Sequence, residues 1–590
     1  MKRSPWSFTV VVLAAALYFT TATGTVVGGD NPEFAALFGA SGVAHPSGYP
    51  LYVLWLRAMS WLPAATPALG AAWATASLSV LSLALLSRAS RAAGASDEGT
   101  AVALAIYAFS PVAWSLAIHA EVFTLNVALA AAILWVASPD FPRDGGTRAT
   151  LLGGLAGLAL ANHLSSVLLA PVGIYGAIAA VTSARFRGRA TVGGILAFAT
   201  CLVVPYASIL ISARSAPWPW VWGEPKDLHA LLRHAMRADY GTTSLAAGGA
   251  APNVGPNLLA LAASFAEGPW IVGSLLAVLG AIGLLRVRSP KRPFAVALLG
   301  TIVLAGPAFV ARFNLPATGL YRHVVARFHL LPLALAVPLV ASGVDALVRR
   351  VPTSALAGTK ATALRGFAIV GVSMAGSLTA WSGIREGSRP TIDQHLRAVF
   401  QVLPKDAILV TDRDEQFGGA LYVQRALGLR PDVTVVAPGL ASTAWYGRAL
   451  GRMLGVPLAV RRVGRDVDPE SLARALAGLG RPLFFVEDAS KGRVPLERLR
   501  TVPWGPLARF VPESEELPSP EALERETAAL YARMDVDLTI LDETTWQASV
   551  VHLYALPWIA LARARTAAGE TEAAARDLAR ARAIAPWITP

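Results

Sequence analysis

The sequence predicts a polytopic α-helical membrane protein that continues into a soluble α/β and helical unit, and three observations carry that expectation. Hydrophobic residues make up 54% of the 590-residue chain and charged residues only 15%, against about 25% charged in soluble globular proteins. Apolar stretches long enough to span a bilayer, which takes about 20 residues, recur up to about residue 384. Beyond 385 the composition becomes that of a soluble domain. The formal charge of +13 does not indicate nucleic acid, because the basic residues sit in short clusters between apolar runs, where they act as orientation signals. A single cysteine, Cys201, lies inside an apolar run and excludes a disulfide framework or a Cys-rich metal site.

The opening "MKRSPWSFTVVVLAAALYFTTATG" has the basic start and small-residue end of a signal peptide. Its apolar part is long enough to cross a membrane and further such stretches follow, so an uncleaved first span over 6–27 is expected. Further spans are expected at 67–87, 100–118, 121–137, 190–213, 269–285, 294–311, 328–347 and 366–384. Segment 151–181 is interrupted by Asn162, His163 and Pro171 and reads as two short helices or a re-entrant pair, for about eleven membrane helices in all. Basic residues at Lys2 and Arg3, Arg88 and Arg91, Arg143 and Arg148, 185–189, 286–292 and 348–350 fall on one side if the N-terminus is cytoplasmic. The connections 28–66, 119–121, 214–268 and 312–327, and everything after 385, are then extracytoplasmic.

In the outer unit, "DAILVTD" (406–412), "DVTVVAP" (432–438) and "RPLFFVED" (481–488) are short apolar runs bounded by turn residues. They read as buried strands with helical patterns between them, hence an α/β layer over 385–515. The tail, 516–590, carries Ala at helical spacing on both sides of a Gly turn, "ALARARTAAGETEAAARDLARARAIAP". This is one tetratricopeptide-like (TPR-like) helix pair, or simply a capping helical hairpin, since such repeats normally stack. The membrane domain is accordingly 1–384, with outer loops 28–66 and 214–268.

The residues with chemical potential cluster on the expected outer side. Asp30 and Glu33 follow Gly28 and Gly29 at the end of the first span. A carboxylate there can accept a proton from a hydroxyl, or "DNPEF" can be a helix N-cap. "HPSGYP", with His45 and Tyr49, is a rigid turn or part of an interfacial aromatic belt with Tyr52 and Trp55. His119, Glu121 and Asn126, and then Asn162 and His163, are costly in an apolar setting unless they face a cavity or one another. The loop 214–241 holds three tryptophans, among them Trp222, with Glu224, Asp227, His229, His234 and Arg237; Trp faces suit sugar rings and membrane interfaces alike. Arg312, Arg322 and Arg327 lie on the outer side, where they can hold a phosphate or pair with Asp30, Glu33 or Glu121. No P-loop, HExxH or Ser–His–Asp arrangement is visible, and no set of metal ligands has recognisable spacing, although the carboxylates leave a divalent metal open.

Six stretches in order, "GDNPEF…AHPSGYPLY", "SPVAWSLAIHAEVFTLN", "GLALANHLSS", "WGEPKDLHALLRHAMRADYG", "RFHLLP" and "RPDVTVV", resemble the DUF2723 membrane-protein family, which includes the TMEM260-type protein O-mannosyltransferases. They run from about residue 28 to 436. The resemblance implies a GT-C type glycosyltransferase fold and transfer of a sugar, mannose in the animal type, from a polyprenyl-phosphate donor on the extracytoplasmic face. It maps the catalytic base onto Asp30 with Glu33 as the alternative. By the same resemblance His45 and Tyr49 would shape the loop, Glu121 and Asn126 the cavity, and His163 its rear wall, and Trp222 is taken as a further substrate-binding residue. Arg322 and Arg327 are assigned to the lipid phosphate on charge logic. One departure stands out: the family's loop usually reads His-Pro-Pro-Gly, and Ser47 replaces the second proline here.

The expected activity is therefore an inverting, lipid-phosphate-sugar-dependent transfer to a hydroxyl of a protein or glycan, without nucleic acid. The expected place is an integral position in a bacterial inner membrane. The rivals are a transporter or flippase of lipid-linked saccharides, which predicts internal repeats that are not visible, and a non-catalytic receptor presenting the outer unit.

Overall fold

A computed structural model describes residues 6–218, 221–241, 251–286, 291–350, 358–411, 413–463, 466–486, 499–540 and 542–588. Lys2, Arg3, Trp220, Asp412, the 287–290 part of one basic cluster, and Glu487 and Asp488 of the third expected strand lie outside them.

The chain is a polytopic helical membrane protein. Among the described residues, five helices are long and apolar enough to cross a membrane: Pro67–Ala92, Leu164–Ser183, Arg187–Ser215, Tyr321–Val348 and Leu364–Val402. Asp97–Ala108 and Pro111–Ala117 make a sixth if their 71° bend belongs to one span. The bend follows from Ser110, whose Oγ caps the second helix by accepting from Ala113 N–H, and from Pro111 at its first position. Trp6–Thr21, Phe123–Ala137, Val254–Ser264 and Trp270–Arg286 are shorter apolar helices.

Two boundaries differ from expectation for local reasons. The first helix stops at Thr21 rather than 27, because Thr23 N–H turns to Ile118 O at 2.8 Å and Val26 is buried in the core it shares with the C-terminal unit. Segment 151–181 belongs to two helices, Gly145–Asn162 and Ala170–Ser183, parted at His163 by the 3-10 turn Leu164–Leu169.

Arg187–Ser215 presents Val192, Ile195, Leu196, Val203, Val204 and Ile211 outward, a continuous apolar face suited to lipid. Its other side meets Gly145–Asn162 backbone to backbone: a Cβ on Gly153 or Gly157 would overlap the carbonyl of Gly194 or Phe198. This is the small-residue packing that membrane helices use in place of a hydrophobic drive.

The C-terminal unit holds a five-stranded sheet of order β2-β1-β5-β7-β6. In it β1 (Ile408–Val410) lies parallel to β2 (Thr434–Val436) and β5 (Leu483–Phe485), and β5 runs antiparallel to β7 (Leu507–Phe510), which forms a hairpin with β6 (Thr501–Trp504). A separate two-stranded ladder joins β3 (Arg462–Val463) and β4 (Asp466–Val467). All residues of β1, β2 and β5 are buried, as expected of parallel strands covered on both faces. The tail is a helical hairpin, Trp546–Ala567 and Thr571–Ile584, turned at Gly569 with φ +82°.

One hydrophobic core joins this unit to the membrane domain. Val26, Ala35, Ala36 and Val43 of the first loop and Val221, Trp222 and Leu231 of the second share it with Leu396, Phe417, Tyr446 and Tyr554.

Candidate active site

The short helix Asn31–Ala36 places the two acids of the first loop. Asp30 stands at its N-cap position with α-helical dihedrals, φ −81° and ψ −7°, and its side chain makes no capping bond. The carboxylate turns instead to Arg327, whose Nη1 donates to Oδ2 at 2.5 Å. The same nitrogen lies 3.4 Å from Glu121 Oε2. Arg327 sits in the 3-10 turn Arg327–His329 at the head of the Leu330–Val348 helix, so one guanidinium bridges acids contributed by two other segments. Gly29, at φ +69°, lets the chain turn beside that guanidinium.

The two acids differ in access and in proton affinity. Asp30's side chain is 24% exposed, Glu121's 2%. Burial favours the neutral form of Asp30, but Arg327, His45 and Arg237 outweigh it and hold the carboxyl below its usual range. Burial dominates at Glu121 and, with Asp30's charge beside it, lifts the group to about 7 despite Arg327. His119 is pushed down to about 4, by burial and then by Arg327.

A second cluster shapes the loop. Glu33 accepts from the His45 backbone N–H at 2.9 Å and from His45 Nδ1 at 2.5 Å, and the Tyr49 hydroxyl is 3.1 Å from His45 Nε2. Burial opposes charge on this imidazole, yet Glu33 and Asp30 raise it to about 9. Glu33 is thus the clamp of the "HPSGYP" turn.

The Tyr49 ring stacks on His163, centroids 5.6 Å apart, and His163 also meets Phe123 and Phe328. Asn126 lies behind: its Nδ2 donates to Ser165 Oγ at 3.3 Å and its Oδ1 accepts from Ser166 Oγ at 2.7 Å. Phe123, Asn126, Ser165, Leu168, Phe309 and Phe328 line a small apolar cleft beside that ring. Trp222 meets His45 edge-on at 6.2 Å, and Phe417 and Trp445 of the C-terminal unit on its other side.

Arg322 departs from its assigned role. Its Nη2 donates to Asp542 Oδ2 at 2.9 Å, while the adjacent His323 Nε2 bonds to Thr544 O at 3.0 Å, so Arg322 fastens the membrane domain to the C-terminal unit. Among the described residues no three His, Cys, Asp or Glu side chains converge as metal ligands; the positive charge between Asp30 and Glu121 is Arg327. Sequence reasoning did not single out Ser165, Ser166, Phe123, Phe328 or Trp546. A Cβ on Gly28 would overlap the Trp546 indole, and a contact across more than 500 residues of chain leaves no local pattern.

Residues 30–185 match the family model described as the Protein O-mannosyl-transferase TMEM260 N-terminal domain. That match begins on Asp30 and includes Glu33, His45, Tyr49, Glu121, Asn126 and His163. The chain is 26% identical over 462 residues to Protein O-mannosyl-transferase TMEM260 of Mus musculus, covering 76% of this chain and 64% of that one. To the Dictyostelium discoideum protein of the same name it is 21% identical over 486 residues, covering 76% and 59%. The chain thus spans about six-tenths of the length of these curated relatives. Among solved structures, ArnT from Cupriavidus metallidurans bound to undecaprenyl phosphate superposes with a TM-score of 0.50 at 14% identity, over 87% of this chain and 99% of that one. The likeness to ArnT is one of fold. The chain thus resembles the TMEM260 proteins in sequence, most closely over residues 30–185, and ArnT in fold.

Proposed function

We propose that the protein is a membrane glycosyltransferase that moves a sugar from a polyprenyl-phosphate donor to an acceptor hydroxyl on the extracytoplasmic face, with Asp30 as general base. The observation that carries this reading is Asp30 itself: an ionised carboxylate, free of any capping duty, held by Arg327 and the more open of the two acids there. In the proposed step the acceptor oxygen attacks the anomeric carbon from the face opposite the phosphate. The C–O bond to phosphate breaks, its electron pair leaves on the phosphate, and the acceptor proton passes to Asp30. The product has inverted configuration. Lipid phosphate is a good leaving group, so no separate general acid is required. Preorganised positive charge opposite the leaving oxygens lowers the barrier most in sites of this kind.

The stacked Tyr49–His163 pair and Trp222 suit a sugar face. The relatives' names supply mannose and a protein acceptor as the first combination to try. The division into a membrane domain (1–384), an α/β unit (385–515) and a helical tail (516–590), with the N-terminus cytoplasmic, belongs to the same proposal.

The test supplies purified full-length protein in nanodiscs with polyprenyl-phosphate mannose and extracted envelope proteins as acceptors. Asp30→Asn is expected to lose about 100-fold or more in transfer rate with its thermal stability retained. Wild-type turnover in Asp30→Asn would remove Asp30 from the chemistry. Absence of transfer by wild type from any polyprenyl-phosphate sugar would favour a receptor.

A further inference from the structure

Three cations bear on Asp30, namely Arg327, His45 and Arg237. Arg327 is shared between Asp30 and Glu121, and His45 is bound to Glu33. Arg237 alone of the three has no acid partner. Its Nε is buried without a hydrogen bond, and among the described residues its guanidinium makes no ion pair; Cζ rests 5.8 Å from the Tyr240 ring. A buried arginine nitrogen without a partner is expensive, and the planar guanidinium fork matches phosphate oxygens.

The fold goes to some length to hold Arg237 there. It follows the Leu228–Ala235 helix in a left-handed conformation, φ +54°, which costs a non-glycine residue energy. Its N–H bonds to His234 O at 3.0 Å, and His234 Nε2 reaches across to Ala44 O at 3.0 Å, pinning the turn to the first loop. Gly223, at φ +70°, leaves no room for a Cβ against the His234 ring. Two loops distant in sequence are thereby locked together with one unpaired guanidinium between them. Its charge acts on Asp30, His45 and Tyr49 together.

We propose that Arg237 binds the phosphate of the polyprenyl donor, in the role that charge reasoning had given to Arg322. The proposal rests on the glycosyltransferase reading for its ligand. Arg327 then acts mainly as the positioning partner of Asp30, and Arg237 supplies the donors that meet the leaving phosphate.

Two measurements test it. First, binding of polyprenyl phosphate to full-length protein in phosphatidylcholine nanodiscs is compared for wild type, Arg237→Gln, Arg237→Lys and Asp30→Asn, with polyprenol as the phosphate-free control. Arg237→Gln is expected to weaken polyprenyl-phosphate binding about 10- to 100-fold, with polyprenol binding unchanged. Arg237→Lys should fall between, and Asp30→Asn should bind while failing to transfer. Second, on the wild-type protein, polyprenyl phosphate but not polyprenol should slow modification of Arg237 by phenylglyoxal, read by peptide mass spectrometry; this holds even if Arg237→Gln does not fold.

Equal binding by Arg237→Gln, or unprotected Arg237, overturns the proposal. Protection by inorganic phosphate at the same concentration would make this a free-anion site and overturn the lipid assignment. Loss of binding in Arg237→Gln with no transfer by wild type would keep the phosphate site and reject the transferase. Normal transfer by Arg237→Gln would do the reverse.

Discussion

The Glu33–His45 clamp makes the first loop sensitive to alkali. In the folded protein His45 titrates near 9 against an ordinary 6.5, because Glu33 and Asp30 outweigh the effect of burial. A group whose folded pKa is raised contributes stability that is complete below its unfolded value and lost as pH climbs through the folded one. The window is therefore 6.5 to 9. The difference of 2.5 (9 less 6.5), at 1.36 kcal/mol per unit, is worth about 3 kcal/mol, or about 300-fold in the constant for opening the loop. His45 is mostly buried, 18% exposed at its side chain, so solvent screening takes little from this figure. Hydrogen exchange reads it directly. The amides of Phe34, Gly48 and Val53 are bonded to Asp30 O, His45 O and Tyr49 O, and their protection, corrected for the intrinsic rate, should fall by up to about 300-fold between pH 6.5 and 9. Glu33→Gln removes the charge that raises His45 and should flatten the profile. A flat wild-type profile, or the same slope in Glu33→Gln, would refute the clamp.

Two further substitutions probe the walls of the site. Arg327→Gln leaves Asp30 and Glu121 facing each other without their shared cation, and calorimetry should show a loss of about 3–5 kcal/mol. Its residual transfer should fail at higher pH than wild type's, since Asp30 loses the charge that keeps it ionised. Gly28→Ala drives a methyl into Trp546 and should cost about 1–3 kcal/mol by thermal unfolding, with Trp546→Ala in the same chain restoring part of it. Equal loss in the single and double variants would show that the two residues do not meet.

What the sequence disclosed follows the range of the forces involved. Membrane helices were legible because about 20 apolar residues in a row have few other uses, and β1, β2 and β5 formed inside the three runs read as strands because fully buried strands are apolar without interruption. The end of the first helix was misplaced because Val26 is apolar on account of the C-terminal unit it packs with, a cause that a hydropathy window assigns to lipid. The resemblance singled out Asp30, Glu33, His45, Tyr49, Glu121 and His163, and these side chains lie together in linked contacts. Which acid pairs with which base was not legible. Glu33 faces His45, and Asp30 faces a residue 297 positions away. Arg322 and Arg327 look alike in the sequence; five residues in a broken helix send one to Asp542 and the other to Asp30.

The shared core also decides which experiment can separate an enzyme from a receptor. Removal of residues 385–590 would expose Val26, Ala35, Ala36 and Val43, which pack in one core with Leu396, Phe417 and Tyr446. It would also take away Trp546 from Gly28 and Asp542 from Arg322. The loop carrying Asp30 would lose its support along with the unit a receptor would present, so truncation abolishes both candidate functions and discriminates neither. Substitution at the carboxylate does discriminate. Asp30 makes no capping bond and, among the described residues, one ion pair, with Arg327, which keeps Glu121 as its second anion. Asp30→Asn is also nearly isosteric, so it removes the base while leaving the frame that a receptor would need. A receptor should therefore be indifferent to Asp30→Asn, whereas the proposed transferase should lose its chemistry and keep its fold.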